Sequence, residues 1–286
     1  MIARKPEWLK VKLPAGENYT KLRGIVKEGN LHTVCQEAMC PNIAECWGVG
    51  TATFMILGDT CTRGCRFCNV KTGHPNPIDP LEAFKLGRSI EELHLKYAVI
   101  TCVDRDDLPD GGATQMAEAI RAIKHRTPQV KVEVLTSDYR GDLAAIRTVV
   151  EAGPDVYAHN IETTRALTAR VRDKRCGYDQ TLGVLARVKD LRPGMPTKSS
   201  IMLGLGESDD DVLQAARDLR NIGVDIITFG QYLQPTKRHL AVVEFVTPEK
   251  FAWFAGQVKP MGFRHVVSGP LVRSSYHAEQ VFATQL

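Results

Sequence analysis

The sequence predicts an α/β protein built as a partial (β/α)6 barrel of the TIM type. Three observations predict it. β-rich apolar runs alternate with amphipathic stretches six times, several runs are apolar throughout, and the chemically distinctive residues fall just after runs. The alternation implies parallel strands joined by crossovers, the continuous apolar character implies cover on both faces, and a parallel barrel carries its chemistry at the C-terminal strand ends. The predicted strands are Thr53–Leu57, Tyr97–Val103, Val130–Thr136, Val156–Ile161, Lys198–Gly204 and Ile226–Leu233. The predicted helices are Leu81–His94, Thr114–Arg126, Asp142–Glu151, Asp179–Leu191 and Asp209–Asn221, with Pro248–Lys259 after the sixth strand. In Asp209–Asn221 the apolar positions Val212, Ala215, Ala216 and Leu219 recur at helical spacing. Ser208 ahead of them, with Asp211 three residues on, spells a capping box.

A chain of 286 residues, 43% hydrophobic and 24% charged, suits one large globular domain. No apolar run approaches the roughly 20 residues that span a bilayer, and the opening residues lack an apolar core of the secretory kind. The expectation is a cytoplasmic protein without membrane contact. The net charge of +4 sits entirely in residues 1–30, where Arg4, Lys5, Lys10, Lys12, Lys21, Arg23 and Lys27 face Glu7, Glu17 and Glu28. By itself that arm reads as a solvated, extended segment; its functional reading is a docking surface for an acidic partner. Basic residues are not interleaved with aromatics as nucleic-acid binding requires, and no P-loop or paired-histidine metal motif occurs.

Six of the eight cysteines lie between Cys35 and Cys68. A dense cluster at the head of a long α/β chain favours metal binding over a disulfide scaffold. Cys61, Cys65 and Cys68 follow the first strand with the spacing C-x3-C-x2-C. Three thiolates on one short loop hold three irons of a 4Fe–4S cluster, whose usual complement is four cysteines. Zinc would call for a second C-x2-C or C/H pair, and none stands nearby. Gly64 allows the loop to turn tightly, and Phe67 is placed to shield a cluster or meet an adenine. The motif resembles that of the radical S-adenosylmethionine superfamily. The resemblance implies that the iron left open chelates S-adenosylmethionine, whose reductive cleavage yields a 5′-deoxyadenosyl radical.

Upstream, Cys35, Cys40 and Cys46 form C-x4-C-x5-C, again three thiolates without a fourth. Cys102 and Cys176 stand alone; either is a candidate fourth ligand, and buried free cysteine is their ordinary reading. The two cysteine motifs together resemble those of the lipoyl synthase family. So do residues 4–10, residues 103–112, residues 159–163, residues 204–207 and the C-terminal Arg273-Ser274-Ser275-Tyr276-His277-Ala278. That resemblance covers nearly the whole chain. It implies an auxiliary 4Fe–4S cluster held by Cys35, Cys40, Cys46 and Ser275, the choice of Ser275 over Ser274 resting on the family alone. It divides the chain into an N-terminal extension (1–50), the barrel (51–262) and a C-terminal tail (263–286). It implies insertion of two sulfur atoms, at C6 and C8, into an octanoyl chain amide-linked to a lysine of a lipoyl carrier domain. The carriers implied are acyltransferase E2 subunits or the glycine-cleavage H protein, with ferredoxin or flavodoxin as electron donor and an iron–sulfur carrier for repair. A biotin-synthase-like enzyme or a methylthiotransferase would share the Cys61 motif without the second set, and a non-catalytic iron–sulfur protein would need no barrel.

Other residues carry two readings each. Asn160 and Glu162 end the fourth strand and fit either the ribose and methionine groups of S-adenosylmethionine or a helix cap. Gly204, Gly206 and Glu207 end the fifth strand and fit either close approach to that cofactor or a tight βα turn. The run Asp104–Asp110 with Gly111 and Gly112 ends the second strand as cofactor rim or solvated loop, and His159 is the histidine nearest the site. Arg273 is placed to meet an acidic carrier.

Overall fold

The computed structural model describes residues 5–11, 16–48, 51–276 and 278–279. Arg4 and Lys12 of the basic arm and His277 of the C-terminal motif lie outside the described residues. Seven parallel strands run in sequential order: β1 (Thr53–Ile56), β2 (Tyr97–Cys102), β3 (Lys131–Leu135), β4 (Val156–Ala158), β5 (Thr197–Leu203), β6 (Ile226–Gln231) and β7 (His265–Gly269). The first six are the predicted strands. Every residue of β1 and of β6 is buried, which is why those runs are apolar throughout. The register sets Thr53 against Val99, Tyr97 against Lys131, and Lys198 against Ile226. The sheet does not close on itself. β7 ends one side, and among the described residues only the two-residue antiparallel strand His32–Thr33 lies beyond β1.

The helices that matter for the site are α1 (Glu17–Glu28), α2 (Val34–Glu37), α3 (Ile43–Gly48), α4 (Glu82–Glu92), α5 (Ala113–Arg126), α6 (Leu143–Glu151), α7 (Tyr178–Leu191), α8 (Asp209–Asn221) and α9 (Pro248–Val258). α4 to α9 are the predicted helices. α8 has the predicted bounds and buries Val212, Ala215, Ala216 and Leu219. Its cap is the predicted Ser208, whose hydroxyl accepts from the Asp211 amide and donates to the Asp211 carboxylate. The basic arm is not extended throughout, because residues 17–28 form α1. That helix buries Leu22, Ile25 and Val26 and sets Tyr19 at 5.1 Å from the Trp47 ring, leaving Lys21, Arg23 and Lys27 exposed.

β7 adds a strand to the six that were expected, from residues read as tail. The chain then crosses to the N-terminal extension: Asn42 donates to the Leu271 carbonyl at 2.6 Å, and the Tyr276 hydroxyl donates to Glu45 at 3.1 Å. The crossing presses onto β6. A Cβ at Gly230 would stand 2.0 Å from the Val272 carbonyl oxygen, so only glycine fits there.

Near the strand starts, Lys198 is buried and donates to Glu133 at 2.9 Å, and the Tyr97 hydroxyl donates to the same carboxylate at 2.7 Å. Removing one member of such a pair leaves the other charge buried and alone. Lys198→Met should therefore cost about 3 kcal/mol in urea unfolding, and adding Glu133→Gln should restore part of it. Single-variant losses that simply add up in the double would show that the pair is not coupled.

Candidate active site

The loop after β1 is built to present sulfur. Its neck is closed by a short parallel ladder between Thr60–Cys61 and Lys71–Thr72. Cys61, Cys65 and Cys68 all line a cavity of about 510 Å³ at the strand ends, and Phe67 lines it beside them. Arg63 between the first two cysteines is buried and also lines the cavity. Its guanidinium donates to both oxygens of Asp106 at 2.9 and 2.7 Å and to both oxygens of Asp138 at 2.7 and 2.8 Å. Burial works to raise Asp138, yet the Arg63 fork holds it down at about 2. Gly64 N–H donates to Asp173 at 2.8 Å. His239 donates from Nε2 to the Cys68 carbonyl at 2.9 Å while its Nδ1 accepts from Thr236.

Backbone amides aim at the sulfurs. Cys61 Sγ accepts from the amides of Arg63 at 3.4 Å and Asp104 at 3.3 Å, and Cys65 Sγ accepts from that of Asp173 at 3.3 Å. Burial pushes the Cys61 thiol up to about 12 and the Cys68 thiol up to about 11. Free, these groups stay protonated at neutral pH. The amides favour the thiolate, and a bound cation that displaces the proton completes the set. Among the described residues no three His, Cys, Asp or Glu side chains converge as they would on a single ion. The sulfurs instead stand around a space, as a multi-iron cluster requires, so the donor set fits a 4Fe–4S cluster.

A second, narrower cavity adjoins the first. Cys35, Cys40 and Cys46 line it together with Ser275, Arg273 and Tyr276. Cys35 sits in α2, whose start is fixed by Thr33 accepting from the Gln36 amide, and Cys46 sits in α3. Burial raises all three thiols, Cys46 to about 12, against amides of Thr53 at Cys35 and of Asn42 at Cys40 that favour the thiolate. The Thr53 hydroxyl donates to Ser275 Oγ at 2.8 Å. Ser274 lines only the large cavity, and so do Cys102 and Cys176; neither cysteine reaches the second set. Cys35, Cys40, Arg273 and Ser275 line both cavities, so the two sites share a wall.

Asn160, Glu162 and His159 also line the large cavity. Asn160 donates to Glu162 at 3.1 Å, and its own Oδ1 is buried without a partner. Glu162 has φ 67, a conformation costly for an L-residue, which aims its carboxylate at the cavity. The next helical turn has no side-chain cap, so neither residue serves as one. Gly204, Gly206 and Glu207 do not line the cavity. Glu207 accepts from the amides of Gly204 and Leu205, and a Cβ at Gly204 would meet Gln231 at 2.3 Å; this is a tight turn clamped by its own acid. The Asp104–Asp110 run is more than a rim or a solvated loop, although Asp107 is exposed. Asp106 pairs with Arg63, Asp107 with Arg105, and Asp110 accepts from Thr114 at the start of α5, leaving Asp104 to line the cavity. Sequence reasoning passed over Arg63, although its place inside C-x3-C marks it; Asp138 and His239 carry no local signal.

His159 Nδ1 lies 2.9 Å from the Thr136 carbonyl, which can only accept, so Nδ1 carries the proton and Nε2 accepts from Thr181 at 3.3 Å. Burial lowers its pKa from 6.5 to about 4. The unfolded chain binds this proton first, so the stability that neutral His159 contributes is present above pH 6.5 and is lost as pH falls towards 4. Over that window the native protein should lose about 3 kcal/mol more than His159→Gln in chemical denaturation. Parallel pH profiles for the two proteins would remove His159 from the account.

The family model for the radical SAM superfamily matches residues 55–219, and that for the N-terminal domain of lipoyl synthase of the radical SAM family matches residues 2–40. The chain is 60% identical over 283 residues to a lipoyl synthase of Anaeromyxobacter sp. (strain Fw109-5), covering 99% of this chain and 96% of that protein. It is 56% identical to a lipoyl synthase of Thermus thermophilus, covering 98% and 88%. Among solved structures it shares its fold with the hydrogenase maturase HydG (TM-score 0.57, 13% identity, 82% and 62% covered) and with methylornithine synthase PylB (TM-score 0.53, 12% identity, 75% and 70% covered). Among the described residues no helix is long and apolar enough to cross a membrane. With two such family matches and relatives this similar over nearly its full length, the chain belongs to the lipoyl synthase family of radical S-adenosylmethionine enzymes.

Proposed function

We propose that this chain carries out the family's reaction, insertion of two sulfur atoms at C6 and C8 of a protein-bound octanoyl-lysine, with two separate sets of ligands. Cys61, Cys65 and Cys68 would hold the cluster that binds S-adenosylmethionine, and Cys35, Cys40, Cys46 and Ser275 the auxiliary cluster. When bound, the first group supplies the electron that cleaves the cofactor and the second supplies the sulfur. The observation that carries this reading is the shared wall: the Ser275 set and the Cys61 set line adjoining cavities, so a substrate carbon can face both. Phe67, Asn160 and Glu162 would hold the adenosine and methionine parts of the cofactor, with the unpartnered Asn160 oxygen as one acceptor. Gly204, Gly206 and Glu207 would support the rim behind them. Thr53 holds the Ser275 oxygen in place as a hydrogen-bond donor. Residues 1–50, 51–262 and 263–286 would then act as auxiliary-site extension, barrel and returning tail.

Oxygen is a harder donor than sulfur, and a serine ligand can take up a proton and leave. Ser275→Cys should accordingly keep its iron yet lose most sulfur insertion; normal turnover by that variant would sink the labile-ligand account. The exposed Lys21, Arg23 and Lys27 on α1 suit an acidic octanoylated carrier such as an E2 subunit or the H protein. Ferredoxin or flavodoxin would supply electrons and an iron–sulfur carrier would repair the auxiliary site. Eight free cysteines suit the reducing cytoplasm. The test is anaerobic: reconstituted protein, S-adenosylmethionine, dithionite and an octanoyl-lysyl peptide, read by mass spectrometry. Lipoyl product with 5′-deoxyadenosine is expected. Cofactor cleavage without sulfur insertion would discard this substrate, and no cleavage by fully loaded protein would discard the whole reading.

A further inference from the structure

Among the described residues, one pair of cysteines lies within hydrogen-bonding range: Cys65 Sγ and Cys176 Sγ are 3.9 Å apart. Cys65 belongs to the cluster loop and Cys176 to neither set of ligands, so the metal chemistry leaves Cys176 unexplained. The two sulfurs are held together by the segment that precedes α7. Arg66 N–H donates to the Val171 carbonyl at 2.9 Å, Gly64 N–H to the Asp173 carboxylate at 2.8 Å, and Cys176 N–H to the Asp173 carbonyl at 2.8 Å. Arg63 Nη1 donates to Cys176 Sγ at 3.4 Å. Both cysteines line the large cavity, through which a small oxidant can reach them.

We propose that Cys65 and Cys176 form a reversible disulfide when the chain without its first cluster meets a peroxide. Bonding needs the sulfurs to close from 3.9 Å to about 2.05 Å. With hydrogen peroxide as oxidant the balance is simple. One sulfur attacks the peroxide and breaks its O–O bond, giving a sulfenic acid and one water; the other sulfur displaces a second water and forms the S–S bond. Two thiols lose two protons and two electrons, and the peroxide is reduced. The product withholds Cys65 from iron, and it also shields that sulfur from the sulfinic and sulfonic acids that could not be reversed. A dithiol reductant returns the pair to the state that accepts a cluster. The consequence for the cluster rests on the ligand assignment above, but the cross-link is read on cluster-free chain, so failure of the lipoyl assay leaves it standing.

The experiment uses the full chain stripped of iron by a chelator, treated with limiting hydrogen peroxide, alkylated and digested without reductant. Peptides carrying Cys65 and Cys176 should appear joined, about 2 Da lighter than their reduced sum, and should separate with dithiothreitol. Loaded protein bleached by peroxide should give the same link, so the reading does not hang on how the cluster-free chain is made. The oxidised chain should take up iron and sulfide at least about tenfold more slowly until it is reduced. Cys176→Ser should abolish the link and leave Cys65 irreversibly oxidised. Cys65 joined mainly to Cys61 or Cys68, or Cys65 over-oxidised to the same extent with and without Cys176, would overturn the proposal.

Discussion

Cys46→Ala should separate the two halves of the reaction: 5′-deoxyadenosine still forms, within about threefold of the native rate, while lipoyl product falls by at least about 10³-fold. The choice of residue decides how sharp the result is. Cys35 and Cys40 line both cavities, so their loss would disturb two sites at once, whereas Cys46 lines only the narrow one. It is carried by α3, and none of the bonds that fix the Cys61 loop passes through that helix. Those bonds run to Asp106, Asp138, Asp173 and His239 instead. Alanine is preferred to serine because a hydroxyl would leave an oxygen ligand in place. Iron should drop from about eight to about four per chain, given four per cluster. Loss of both products would mean that the sites are not independent. Unchanged sulfur insertion would remove Cys46 from the auxiliary set.

Local chemistry was legible in the sequence, and distant pairing was not. The six strands declared themselves because burial on both faces demands continuous apolar runs, and α8 because its cap and its apolar spacing agree. β7 did not, since His265–Gly269 is half-buried throughout and includes only two strongly apolar residues. α1 was missed for a related reason: three buried positions among many charges read as a solvated arm. In the site, the two cysteine motifs were legible because cluster ligands come from short loops with fixed spacing. Ser275 was reachable only through family resemblance, since its contact with Thr53 spans 222 residues. The acidic run shows the opposite failure. Its spacing was visible, but whether Asp106 faces water or Arg63 is settled 43 residues away.

Arg63→Met should be among the most damaging single changes outside the cysteines. The side chain is 2% exposed and is shared by three carboxylates, of which Asp138 is 1% exposed, Asp106 16% and Asp104 22%. Removing the cation strands the buried Asp138, leaves Asp106 with Arg175 as its remaining cation, and loosens the cluster loop from the end of β3. A loss of about 3–5 kcal/mol in urea unfolding is expected, with poor loading of the first cluster. Lysine should rescue little, because a point charge cannot hold two carboxylates in one plane as the guanidinium fork does. Asp138→Asn added to Arg63→Met should recover part of the stability by removing a stranded charge. The pH dependence checks the cause. In the native protein Asp138 sits at about 2, below its unfolded value of 3.8, so its contribution holds above the unfolded pKa and is lost only as pH falls through 2. Without Arg63 burial acts on Asp138 against only the Arg140 amide and His159, so its pKa rises and folding then favours the protonated acid more. The deficit of Arg63→Met should therefore shrink as pH falls from 7 towards 5. A deficit that stays constant over that range would assign Arg63 a packing role instead of an electrostatic one.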